Sequence, residues 1–108
     1  MDLALDGVPA AVAGASRGLG YAVAMELARE GARVAICARR REAVEAAAAE
    51  IQKATGTVVV PIVADFAAAG ASERFVADAV EALGGLQVVV TNAGDPPPGP
   101  ASQFDEAA

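Results

Sequence analysis

Three glycines, Gly14, Gly18 and Gly20, stand between an apolar run (Val8 to Ala13) and a helical pattern (Leu19 to Glu30). No other feature constrains the chain as much. A glycine-rich turn from a strand into a helix keeps side chains out where backbone must approach another group closely. The helix that follows points its free N–H groups and the positive end of its dipole over the turn, which favours an anion such as a pyrophosphate. The stretch reads as a cradle for a dinucleotide. Taken alone it also reads as an ordinary strand-to-helix connection, and the residues that follow decide between the two.

The remaining order of elements supports the first reading. Val8 to Ala13 is a continuous apolar strand with Pro9 at its start, where a missing N–H is tolerated. After the first helix, Gly31 is placed to terminate it. Arg33 to Ala38 reads as a second strand, Arg41 to Thr55 as a second helix closed by Gly56, and Thr57 to Ala64 as a third strand. Ser72 is a candidate cap for a third helix reaching Leu83, stopped by Gly84 and Gly85, and Leu86 to Thr91 is a fourth strand. Strands alternating with helices predict an α/β fold: a Rossmann-type, doubly wound parallel sheet with strand order 3-2-1-4. Pro61 in the third strand fits that order, because an edge strand can lose one backbone donor. Further on, Asp95 to Pro100 reads as a stiff proline loop. Ser102 to Glu106 reads as a capping box opening another helix that the chain does not complete, which suggests a fragment or a frayed tail.

Composition narrows the partners. At 55% hydrophobic residues, the 108-residue chain can build a core and is not disordered by default. Its net charge of −6 makes nucleic acid an improbable ligand. Charge is unevenly spread: residues 1–41 hold six basic and four acidic residues, and the rest hold two basic and ten acidic. This reads either as a solvated surface or as a local positive site for phosphate. Cys37 is the single cysteine, set in an apolar run, so it reads as a buried small residue. No internal disulfide is possible, which fits a reducing, cytoplasmic setting. With no histidine, no histidine-based metal site or dyad can form. The N-terminus carries no signal-peptide pattern and no segment is long enough to span a membrane.

The residues after the second strand bear on which dinucleotide is held. Sites that take NAD place an acid there, about 20 residues beyond the glycine turn, to hold the ribose 2′-hydroxyl. Here the sequence reads Ala38-Arg39-Arg40-Arg41, with no acid. An arginine pairs with a 2′-phosphate that an acid would repel. Arg40 and Arg41 read equally as the exposed start of a helix.

The spacing Gly14-x3-Gly18-x-Gly20, in Gly-Ala-Ser-Arg-Gly-Leu-Gly, resembles the fingerprint of the short-chain dehydrogenase/reductase family, with Ala13 where that family usually has threonine. Thr91-Asn92-Ala93-Gly94 after the fourth strand resembles its Asn-Asn-Ala-Gly motif, with Thr91 replacing the first asparagine. The resemblance runs from Val8 to about Glu106. It implies that Gly14, Ser16, Arg17, Gly18, Leu19 and Gly20 form the phosphate turn. It implies that Arg17 and Arg39 bind a 2′-phosphate, and hence that the cofactor is NADP(H). Asp65 and the backbone N–H of Phe66 would contact adenine, and Asn92, Ala93 and Gly94 would let the cofactor ribose pass close to the chain.

The same resemblance implies hydride transfer between the nicotinamide and a small-molecule carbonyl or alcohol, with a 3-oxoacyl-carrier-protein reductase as the nearest flavour, and a homotetramer for the intact protein. The family's catalytic Ser, Tyr and Lys lie downstream of Asn-Ala-Gly. In this chain the only tyrosine, Tyr21, sits beside the glycine turn, the only lysine, Lys53, is on the second helix, and Ser16 belongs to the turn. Residues 1–108 are thus expected to be the dinucleotide-binding portion, inactive alone, with the catalytic portion outside this chain. The alternatives are a non-catalytic NADP-binding module, and an α/β domain whose glycine turn binds nothing tightly.

Overall fold

The computed structural model describes residues 5–65 and 68–91. Its elements run β1 (Pro9–Ala13), α1 (Gly18–Arg29), β2 (Arg33–Ala38), α2 (Arg41–Thr55), β3 (Val59–Val63), α3 (Ala71–Leu83) and β4 (Val88–Val90). The strands form one parallel sheet in the order β3-β2-β1-β4, as the alternating pattern predicts. All of the central strand β1 is buried, and so is most of β2, because helices cover both faces.

Alternation along the strands sorts the core into two layers. Val12, Val34 and Ile36 point towards α1 and α2, where they meet Ala24, Ala28, Val44, Ala48 and Ile51. Ala11, Ala13, Ala35 and Cys37 point the other way, against Phe75, Ala79 and Leu83 of α3. The small residues of that second face leave room for the Phe75 ring, which is 1% exposed. On α1 the inward positions are Gly20, Ala24 and Ala28, spaced four apart, so the helix lies close to the sheet.

Several element ends move by one or two residues, each for a local reason. The third strand begins at Val59 rather than Thr57, because Thr57 is held in the turn after α2: its N–H and hydroxyl both meet the Thr55 hydroxyl, at 3.4 and 3.0 Å. The fourth strand is only Val88–Val90, the stretch that pairs with Ala10, Ala11 and Val12. Ser72 is not a helix cap. Gly70, with φ 77°, takes that place, so α3 starts at Ala71 and the Ser72 hydroxyl instead donates to Glu73 Oε1 at 2.9 Å. The terminators at Gly31, Gly56 and Gly84 all adopt positive φ.

The two edges of the sheet differ. Even-numbered positions around β3 bond to β2 (Val34 N–H to Val58 O, 2.9 Å; Ala64 N–H to Ala38 O, 3.0 Å), so Val59, Pro61 and Val63 turn their backbone outward. Pro61 has no N–H to offer, and the Val59 N–H is taken by Gln52 Oε1 at 3.3 Å. That edge is blunted against strand addition. At the other edge of the described sheet, β4 leaves Val89 49% exposed. Among the described residues no helix is long and apolar enough to cross a membrane, and no cluster of potential metal ligands occurs.

Arg33, half-buried at the start of β2, joins parts of the fold distant in sequence. Its Nη1 donates to Leu83 O at 2.6 Å, at the C-terminal, negative end of α3, and its Nε donates to Gly7 O at 3.1 Å. We expect Arg33→Met to keep the aliphatic stem but lose these charged hydrogen bonds, lowering stability by about 1–2 kcal/mol in a denaturant melt.

Candidate functional site

The glycine turn lies at the carboxyl end of β1 and is fixed from below. Gly14 has φ 67°, a left-handed conformation that side chains disfavour. The Ala15 N–H donates to Cys37 O at 2.9 Å, which ties the turn to β2. Cys37 also supports it through its sulfur, which accepts from the Gly14 N–H. Burial outweighs that contact and pushes the thiol above its ordinary range. Arg17 is fully extended at the position before α1, and Gly18, φ 68°, opens the helix with nothing within 4 Å of where a Cβ would project. Gly20 is the opposite case: a Cβ there would run into the Gly14 carbonyl oxygen, with the Gly14 carbon at 3.0 Å and the Ala15 Cα at 3.1 Å.

The start of α1 suits an anion. Among the described residues no side chain caps it, and no acid lies in its first turn, whereas α2 has Glu42 and α3 has Glu73 in theirs. Its first N–H groups and its dipole are left uncompensated beside the open space at Gly18. Ser16 is half-buried, Arg17 is exposed, and Leu19 is 70% exposed, an apolar side chain at the mouth of the turn.

Two hydrogen bonds align the three strand ends: Ala15 N–H to Cys37 O, and Ala64 N–H to Ala38 O. The carboxyl ends of β1, β2 and β3 therefore form a continuous ledge from the glycine turn past Arg39 to Asp65. Arg39 is exposed, immediately beyond β2. Arg39 and Asp65 line one cavity of about 210 Å³, together with Ala64, Ala68, Phe75 and Arg74. Arg40 and Arg41 are exposed at the start of α2, where Arg41 lies 3.6 Å from Glu45. A larger groove, about 580 Å³, runs along the outer edge of β3 and contains none of the sequence-predicted residues. Phe66, Asn92, Ala93 and Gly94 lie outside the described residues.

Tyr21 and Lys53 are kept from this ledge. The Tyr21 hydroxyl hydrogen-bonds the Glu50 carboxylate and so straps α1 to α2. Lys53 is exposed in the last turn of α2. The Glu50 hydrogen bond, more than desolvation or Glu50's charge, holds the Tyr21 phenol above the ordinary 10.0. The contact therefore stabilises the fold at and below the pH where a free tyrosine ionises, and is lost as pH rises through the higher folded value. Tyr21 is the only tyrosine, so an ultraviolet titration of tyrosinate reads it alone. Its midpoint should lie above 10.0 and fall in Glu50→Ala.

Two features escaped the sequence. The sulfur of Cys37 beneath the turn is a tertiary contact without a motif. Arg74 carried a faint signal, being the only basic residue among residues 54–108.

Comparison with known proteins now bears on this geometry. The family model described as short chain dehydrogenase matches residues 9–108. The chain belongs to the short-chain dehydrogenase family. It is 36% identical over 93 residues to glucose 1-dehydrogenase of Gluconobacter oxydans, covering 86% of this chain and 35% of that protein. Among solved structures, L-sorbose reductase of Gluconobacter frateurii complexed with NADPH and L-sorbose superposes with a TM-score of 0.82 at 30% identity, covering 88% of this chain and 36% of that one. A short-chain dehydrogenase of Burkholderia cenocepacia in complex with NADP gives a TM-score of 0.77 at 42% identity, over 85% of this chain and 38% of that one. The chain spans about a third of the length of the curated short-chain dehydrogenase relatives it matches.

Proposed function

We propose that this chain is the dinucleotide-binding portion of a cytoplasmic, NADP(H)-dependent short-chain reductase that works as a homotetramer. The observation that carries the reading is Arg39: it stands where an acid would hold a 2′-hydroxyl, on the ledge that begins at an acid-free, uncapped helix start. In this reading Gly14, Ser16, Gly18, Leu19 and Gly20 hold the pyrophosphate, Arg17 and Arg39 pair with the 2′-phosphate, and Asp65 with Phe66 takes the adenine. Asn92, Ala93 and Gly94 line the path of the nicotinamide ribose. Bound NADPH supplies a hydride, and the whole protein passes it between nicotinamide and a carbonyl or alcohol substrate. NADPH- and NADP-bound neighbours support the choice of cofactor. A 3-oxoacyl substrate rests on the resemblance of the fingerprint alone; two of the relatives described above, the glucose 1-dehydrogenase and the L-sorbose reductase, are named for sugars.

The proton donor belongs to residues outside 1–108 in this reading. The alternative is a non-catalytic NADP-binding module; with Tyr21 strapped to Glu50 and Lys53 remote on α2, both readings expect no acid from them at the ledge, and turnover separates the two. A thermal melt combined with a turnover assay tests the proposal. NADPH at 100 times its Kd should stabilise the chain by about 2.7 kcal/mol. Residues 1–108 alone should consume no NADPH with a ketone panel, and the protein extended to the family's length should. Turnover by residues 1–108, or no stabilisation by NADPH, would overturn the assignment.

A further inference from the structure

The cavity at the end of β2 and β3 receives a second arginine from a different element. Arg39 lines it from the end of β2 and Arg74 from the first turns of α3, with Ala64, Ala68 and Phe75 between them. Asp65 and Asp78 also line it, so the lining carries two basic and two acidic residues. Among the described residues neither Arg39 nor Arg74 forms an ion pair; the pairs present are Arg29 with Glu26 and Arg41 with Glu45.

The position of Arg74 is unfavourable for the helix that carries it. Its N–H donates to Gly70 O at 3.0 Å, the first intrahelical bond of α3, so Arg74 is the fourth residue of that helix, at the end of its first turn. A cation there gains nothing from the helix dipole and opposes it only weakly, because the effect falls off within the first turn. Arg74 is exposed, so it is not kept for packing.

We propose that Arg74 is a further anchor for the 2′-phosphoadenosine end of NADP(H), beside Arg17 and Arg39, acting from α3 on the cavity that Arg39 lines from β2. This rests on the NADP(H) reading above and extends it to a residue outside the glycine and strand-end motifs. Two guanidiniums from separate elements supply more donors than one to a dianionic phosphate, and a small-walled cavity beside them accepts a planar base.

The test is calorimetric binding of two probes, adenosine 2′,5′-bisphosphate and 5′-AMP, to the full chain. The unaltered protein prefers the bisphosphate. Arg74→Gln, which keeps the side chain's length and helix propensity, should weaken the bisphosphate about tenfold and leave 5′-AMP within about twofold, the loss expected for one charged hydrogen bond. Arg74→Lys should recover part of the loss. Arg39→Gln is the control. If Arg39→Gln removes the preference and Arg74→Gln does not, or if Arg74→Gln weakens both probes equally, the Arg74 assignment fails and the NADP(H) reading stands. If the unaltered protein shows no preference for the bisphosphate, both fail.

Discussion

Arg39→Asp is expected to lower NADPH affinity by about 100-fold and to leave NADH affinity within a few-fold. The reasoning starts from charge. A 2′-phosphate carries close to two negative charges, and a guanidinium paired with it contributes about 1.5–3 kcal/mol. Replacing arginine by aspartate removes that contact and adds repulsion, for a combined effect of about 3 kcal/mol, or about 100-fold. The same aspartate stands where an acid can accept the NADH 2′-hydroxyl, so NADH loses little and can gain. Arg39 is exposed and makes no ion pair among the described residues, so the fold survives the change. Equal loss for both cofactors in paired fluorescence titrations would show that Arg39 does not read the 2′ position.

Gly20→Ala should be the most damaging single-methyl substitution in the turn. A Cβ at Gly20 meets the Gly14 carbonyl, with the Gly14 carbon at 3.0 Å and the Ala15 Cα at 3.1 Å. These are backbone atoms and cannot rotate aside. The turn is also pinned by Ala15 N–H to Cys37 O at 2.9 Å, so it cannot yield without disturbing β2. Overpacking of this kind costs about 1–3 kcal/mol or more, and the better helix propensity of alanine returns only about 1 kcal/mol. A net loss of about 2 kcal/mol in a urea melt follows, with NADPH binding lost as α1 is pushed off the turn. Unchanged stability together with unchanged binding would show that α1 does not sit this close to Gly14.

The sequence and the structure agree most closely where a rule acts locally. The apolar runs, the helical patterns and the glycines that end them depend on a few neighbouring residues, and together they dictate strands in the order β3-β2-β1-β4. Pro61 marked β3 as an edge through one missing donor, and the structure turns its backbone outward. The disagreements lie where the outcome depends on groups far apart in sequence or on competing local bonds. Ser72 had the chemistry of a cap, but the positive φ of Gly70 started α3 first. Thr57 had the β-branched character of a strand, but the Thr55 hydroxyl held it in the turn. At the candidate site the glycine turn, Arg39 and Asp65 were legible because motif spacing places them. The strap from Tyr21 to Glu50 and the presence of Arg74 on the cavity that Arg39 lines were not, because both are set by how helices pack on the sheet.

In the proposed function, the ledge from the glycine turn to Arg39 selects a 2′-phosphorylated dinucleotide. Calorimetric titration of the unaltered protein with NADPH and with NADH under the same buffer and salt tests it most directly. NADPH is expected to bind tighter by at least about tenfold, a difference of about 1.4 kcal/mol. Equal affinities, or tighter binding of NADH, would contradict it.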